Sequence, residues 1–247
     1  MRKQDRVVHN LSDFVRKLVN DIQECGQPVW FRGQASKGWG LVPSIARTPG
    51  IPPELNLIKK FKQSASILLN PQPTELIDWL FIMQHHGAPT RLLDWTESPL
   101  VASYFAVDDV KEDISRDGVV WALLPVELNK LANIFPDYSF DIPSFSEDKV
   151  TETYSPESFA GESTSNLFPL AIMAPRSSAR MQFQLSVFTI NHRNNTPIEN
   201  IGNKRHVWRY IIPEANKASF KNDLKCIGLG RFQLFPELQS IGDLLRP

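Results

Sequence analysis

"MQHHGAPTRLLDWTESPLVASYFAV" occupies Met83 to Val107 and sets a dense polar cluster between two apolar segments. The two histidines, His85 and His86, close a helix over "TELIDWLFIMQHHG", which Thr74 is expected to cap and Gly87 to stop. Gly87, Ala88 and Pro89 then turn the chain. Arg91, Asp94, Thr96 and Ser98 follow, and from Ser98-Pro99 the stretch "SPLVASYFAV" reads as a short, almost wholly apolar helix. A helix without a polar face is buried. The polar cluster between these two segments therefore sits near the core, where its groups need partners. Two readings stay open. One is a helix-to-helix connection in which Arg91 pairs with Asp94 and the histidines are solvated. The other is a site in which Thr96 and Ser98, beside the free N–H groups of a helix start, meet an anion.

Upstream, "VWFRG" at Val29–Gly33 reads as a core strand that ends in an arginine and a glycine. Arg32 is either a tie for a carboxylate, Asp94 or Glu97, or a contact for an anionic ligand. Apolar residues at Leu11, Phe14, Leu18 and Ile22 predict an amphipathic helix, started by Asn10 or Ser12 and ended by Gly26. "PPELNLIKKFKQSASILLN" is a second helix, opened by Pro52 and Pro53. Downstream, "DGVVWALLPV" reads as a central strand and "HVWRYIIP" as another. "RMQFQLSVFTIN" alternates apolar Met181, Phe183, Leu185 and Val187 with Gln182, Gln184 and Ser186, which predicts a half-buried strand. "EANKASFKNDLKCIG" is a helix stopped by Gly228, and "PELQSIGDLLRP" a short terminal one. Residues 133–166 read as a long loop or insertion. Its aromatics Phe135, Tyr138, Phe140, Phe145, Tyr154 and Phe159 look exposed and suited to anchoring a partner, as a lid or a dock. No linker or repeat divides 1–247, so the reading is one α+β domain.

Composition narrows the function classes. The 247 residues carry 27 basic and 27 acidic side chains, so no global field draws the chain to nucleic acid or anionic membrane. Cys25 and Cys226 lie far apart, in no metal or redox spacing, and read as reduced cytoplasmic thiols. No apolar run is long enough to cross a bilayer. His85 and His86, adjacent on a helix, point apart and do not chelate one ion, and no other ligand spacing predicts a metal. "GESTSN" at 161–166 is a hydroxyl-rich turn or an anion loop. Walker, GxGxxG and GxSxG signatures are absent.

The stretches "WFRGQ" (Trp30–Gln34), "QHHGAPTRLLDWTESPLVASYFA" (Gln84–Ala106), "DGVVWALL" (Asp117–Leu124), "RMQFQLSVFTI" (Arg180–Ile190) and the late "IGLGRFQLFPELQSIG" resemble the FRG domain family, named for Phe-Arg-Gly. One departure is visible. The family's usual Gln-x-Gly-x-Phe is Gln184-Leu185-Ser186-Val187-Phe188 in this chain. The order Arg32-Gly33, Thr96 and Ser98, "VASYFA", "VVWALL", then Gln182 and Gln184 is also similar, more distantly, to the ADP-ribosyltransferase fold. That resemblance implies a mixed, split β-sheet core flanked by helices, with NAD as substrate and no metal. It implies a catalytic set of Arg32, His85, Asp94, Thr96 and Gln184. It implies an NAD-binding set of Arg32, Gly33, Gln34, Arg91, Thr96, Ser98 and Tyr104.

Such a protein would be a cytoplasmic transferase, the toxin of a toxin–antitoxin pair or an anti-phage effector. It would modify an unspecified nucleic acid or protein acceptor and be restrained by an antitoxin protein. The transferases usually place Glu on the late strand, where this chain has Gln184. Asp94 is the best substitute for that charge, Glu97 the next and Glu162 the third. A non-catalytic binding module and an NAD glycohydrolase remain the alternatives.

Overall fold

The computed structural model describes residues 5–108, 116–134, 141–145, 149–160, 167–237, 240 and 242. In chain order the elements are β1 (Arg6–Val7), α1 (Leu11–Gln23), β2 (Trp30–Gln34), α2 (Ser44–Arg47), α3 (Glu54–Ala65), α4 (Leu76–His85), β3 (Leu92–Thr96), α5 (Pro99–Val107), β4 (Gly118–Leu123) and α6 (Pro125–Asn129). There follow α7 (Pro156–Ala160), β5 (Leu170–Ile172), α8 (Ala179–Phe183), β6 (Ser186–Ile190), β7 (Val207–Ile212), α9 (Glu214–Cys226) and α10 (Arg231–Leu234). The strands form one mixed seven-stranded sheet in the order β1-β7-β4-β2-β3-β6-β5. Among the strands described, only β1 pairs in parallel, with β7. The class is α+β.

The start and stop signals act as expected at most ends. The Asn10 side chain accepts from the Asp13 N–H, and the Ser98 side chain accepts from the Val101 N–H at the start of α5. Gly26, Gly87 and Gly228 all have positive φ just past their helices. At α4 the helix begins at Leu76, with Glu75 and not Thr74 at the cap.

Both faces of the sheet are covered, which is why its strands are apolar almost throughout. On one face Phe31, Val120, Ala122 and Trp208 pack against α1, α5 and α9. Under α4, Leu92, Phe188 and Ile190 meet Trp79, Leu80 and Phe81. Alternate residues of the same strands, among them Trp30, Trp121, Leu93 and Trp95, pack on the opposite face with Leu41, Leu128 and Ile198.

Helix α5 lies directly on β2 and β4. A Cβ at Gly33 would stand 1.8 Å from the Ala102 carbonyl oxygen, and one at Gly118 would stand 2.3 Å from that of Ala106. These two glycines let helix backbone rest on strand backbone. Gly33 thus serves the helix contact, which differs from the NAD-binding role that the resemblance implies for it.

Three expectations change. "RMQFQLSVFTIN" is not one strand. Ser178 accepts from the Met181 N–H and starts α8, Leu185 reverses the chain at φ 47°, and β6 runs only from Ser186, buried along its whole length. The alternation breaks because Phe183 is 56% exposed, while β6 is covered on both sides. The stretch Leu92–Thr96 is a strand and not a helix-to-helix loop. In the long insertion, Phe145 and Tyr154 are core residues packed with Phe81 and Trp79, so they are not free to anchor a partner. Phe159 is partly buried over Arg91, whose guanidinium carbon lies 4.5 Å from the ring centre. Phe135, Tyr138, Phe140 and the "GESTSN" loop with Glu162 lie outside the described residues, as does most of the expected terminal helix. No described helix is long and apolar enough to cross a membrane.

Candidate functional site

The pairings β2–β4, β3–β6 and β4–β7 run over five or six positions, but β2 and β3 pair through one, Phe31 opposite Thr96. Beyond that position the strands part. A cavity of about 220 Å3 opens there, lined by Arg32 and Gly33 from β2, Asp94 and Thr96 from β3, Gln84 and His85 from α4, and Arg180 and Gln184 from the α8 turn. Phe31, Phe81, Phe105 and Phe188 supply apolar wall. An outer cleft of about 510 Å3 continues from it, sharing Gln84, His85, Asp94 and Arg180 and adding Ser44, His86 and Glu237.

Arg32 bridges the parted strands. Its Nη1 donates to the backbone carbonyl of Asp94 at 2.7 Å and lies 3.9 Å from the carboxylate. The side chain is 17% exposed, and its Nε–H is buried without a partner among the described residues. Burial pulls Arg32 below the ordinary guanidinium value, Asp94 opposes that, and Arg47 adds to it. It is at once a tie to Asp94 and a cation facing the cavity.

Asp94 is 52% exposed on the side chain. Gln84 donates to its Oδ2 and accepts from the Thr90 hydroxyl, which fixes both the amide and the carboxylate. His85 sits at the end of α4, with Nδ1 3.5 Å from the Ser178 hydroxyl. Burial lowers its pKa from 6.5, and the charge of Arg180 lowers it further. The imidazole is therefore neutral at pH 7 and able to accept a proton.

Other residues singled out from the sequence are engaged locally. The Thr96 hydroxyl donates to the Gln184 carbonyl at 2.6 Å and accepts from the Ser98 N–H at 3.0 Å, while Ser98 caps α5. Gln184 turns its amide to the Leu234 carbonyl at 3.0 Å. It stands at the end of α8, not on a late strand. Gln34 is buried and accepts from the Trp121 indole N–H at 2.8 Å. Tyr104 is a core residue whose hydroxyl burial pushes up to about 12. Its neighbour Phe105 is the one that reaches the cavity. Glu97 pairs with Arg176.

Arg91 does not pair with Asp94. It is 2% exposed, its Nε donates to Glu54 at 2.8 Å, and its Nη groups donate to the Asn191 and Tyr154 carbonyls. The reason is direction: residues 91 and 94 point to opposite faces of an extended segment. Sequence reasoning passed over Gln84 and Arg180. Gln84 stood inside the densest motif. Arg180 stood four residues before Gln184, a helical spacing hidden by the apparent strand alternation.

The segment that supplies β2, α4, β3 and α5 also carries the family signature. Residues 27–114 match the FRG domain. No curated protein and no solved structure matches the chain. Much of the cavity is thus built from the FRG domain match, including Arg32, Gln84, His85, Asp94 and Thr96, and the α8–β6 segment beyond it closes the wall with Arg180, Gln184 and Phe188.

Proposed function

We propose that the cleft binds NAD and transfers its ADP-ribose. The observation that carries this reading is the exposed Asp94 carboxylate, fixed by Gln84 and facing Arg32 at the mouth of an aromatic-walled cavity. The cavity is smaller than the roughly 300–1,000 Å3 of drug-sized sites and suits a single ring such as nicotinamide, with the outer cleft taking the rest. Phe81, Phe105 and Phe188 supply the apolar wall for the ring. Arg32 supplies fixed positive charge and planar donors for a phosphate.

In the transfer, the bond between nicotinamide nitrogen and ribose C1′ breaks. Nicotinamide leaves neutral with the electron pair, and C1′ passes through an oxocarbenium-like state that Asp94 stabilises by charge. The acceptor oxygen or nitrogen bonds to C1′ and gives its proton to neutral His85. Water as acceptor makes the same site an NAD glycohydrolase. A toxin or anti-phage role, with a restraining antitoxin protein and a macromolecular acceptor, is the biological setting that such a transfer would have.

The test is nicotinamide release and labelled ADP-ribose incorporation with NAD and a mixture of cell RNA, DNA and protein. Asp94→Asn removes the charge but keeps the size, and it should lower the rate by roughly 10²–10³. Full activity in Asp94→Asn, or no turnover by wild type, overturns the reading. A second reading, a binding module without turnover, is favoured by one observation: Gln184, at the end of α8 and not on the late strand, is neutral and tied to Leu234. NAD binding without nicotinamide release would establish it.

A further inference from the structure

We propose that Arg180 and Arg32 form a two-sided clamp for the diphosphate of the ligand, Arg180 being the arm that lies outside the FRG domain match. The inference deepens the NAD reading and rests on it, but what it concerns is the diphosphate and not the glycosyl transfer. Both guanidiniums line the 220 Å3 cavity, and Arg180 lines the outer cleft as well, so it stands where the two spaces join.

Donor geometry supports the clamp. A guanidinium carries five N–H donors in a planar fork. Among the described residues Arg180 makes one hydrogen bond, to the His85 carbonyl at 3.3 Å, and lays its face on Phe235 with 4.6 Å to the ring centre. No carboxylate among the described residues stands within ion-pair distance of it. Arg32 likewise keeps a buried Nε–H without a partner among the described residues. A diphosphate offers acceptors for both forks.

The charge around the clamp fits the same ligand. Arg47 acts on Arg32, and Arg231 acts on Arg180. The carboxylates acting on these two are Asp94 and Glu237. Arg32 and Arg180 against Asp94 leave the charged lining of the inner cavity positive in a chain whose net charge is zero, which favours a compact anion.

The backbone is bent at this place. Leu185 at φ 47° adopts a left-handed conformation that is strained for a non-glycine residue. The reversal ends α8, and Arg180 and Gln184, one helical turn apart, both come to the cavity wall. Strain of this sort gathers at functional sites.

The experiment compares ADP-ribose, inorganic pyrophosphate, adenosine and nicotinamide by calorimetry on wild type, Arg180→Gln and Arg180→Lys. Arg180→Gln should weaken ADP-ribose roughly 10- to 100-fold, the range for one charged hydrogen-bonded contact, and leave adenosine and nicotinamide unchanged. Arg180→Lys keeps the charge without the fork and should fall between. On wild type, pyrophosphate should shield Arg32 and Arg180 from phenylglyoxal, read by mass spectrometry, so the inference does not depend on how the variants fold. ADP-ribose bound equally by a folded Arg180→Gln, or Arg180 left unshielded, overturns the clamp and leaves the NAD reading standing. If ADP-ribose does not bind but pyrophosphate shields both arginines, the NAD reading falls and the clamp stands. If neither diphosphate binds wild type, both fall.

Discussion

Replacing Gly33 by alanine separates packing from ligand approach at the signature glycine. The new Cβ would stand 1.8 Å from the Ala102 carbonyl oxygen and 2.7 Å from the Ala106 nitrogen, where ordinary contact begins at 3.4 Å. Both neighbours are backbone, so no side chain can swing aside. Helix α5 would have to retreat by roughly 1.6 Å in an interior packed like an organic crystal. That helix buries Val101, Ala102, Tyr104, Ala106 and Val107 in the core. Overpacking costs about 1–3 kcal/mol where side chains yield, and a backbone clash belongs at the upper end or above it. For a chain of this size, about 3 kcal/mol corresponds to a fall of roughly 6–12 °C in thermal midpoint. Urea unfolding with an unchanged slope, followed by circular dichroism, measures the loss directly. The control is Gly87→Ala, whose Cβ meets nothing within 4 Å and suffers only from its φ of 74°. A Gly33→Ala protein as stable as wild type, yet unable to bind ligand, would refute the packing argument and restore the ligand reading of this glycine.

Arg32→Ala removes the donor to the Asp94 carbonyl and should cost about 1.5–3 kcal/mol, the range for hydrogen bonds from charged groups. The protein should stay folded and lose diphosphate binding; an insoluble product would make Arg32 a structural tie alone. Glu54→Ala leaves the guanidinium of Arg91 buried and uncompensated, and urea titration should show a loss of about 3–5 kcal/mol. A loss under about 1 kcal/mol would mean that the carbonyls of Asn191 and Tyr154 suffice. Burial, helped by Arg91, holds His192 down at about 4, against 6.5 unfolded. Between those values the unfolded chain binds a proton that the folded chain does not, so stability is full above about pH 6.5 and falls by about 3 kcal/mol as pH drops to about 4. His192→Gln should flatten that part of a stability–pH curve, and an unchanged slope would place the acid sensitivity elsewhere.

The site was legible in the sequence where chemistry and local pattern coincide. Arg32 follows three strand-forming residues, and His85 and Asp94 lie in one dense motif, so their types and spacing drew notice. Arg91 shared that motif, yet no local signal shows that its partner is Glu54, thirty-seven positions upstream. Arg180 was hidden for a different reason. Alternating apolar residues suit a strand, and only the Ser178 cap and the reversal at Leu185 turn that stretch into a helix. The aromatics Phe145 and Tyr154 looked exposed because their segment is rich in Pro, Ser and Glu, but tertiary contacts bury them under α4.

Helices α1, α3, α5 and α9 follow from local signals, the caps, stops and apolar residues written into their own segments. The apolar strands β2, β4 and β7 follow in the same way, because runs of that kind have nowhere to go but a covered sheet. Three features have no local cause: β2 and β3 meet at one position and then part, Gly33 is held bare for α5, and Arg180 completes the cavity. Each of these depends on residues far apart in the chain competing for the same space. That competition is settled by packing and charge in three dimensions, and local propensity carries no record of it.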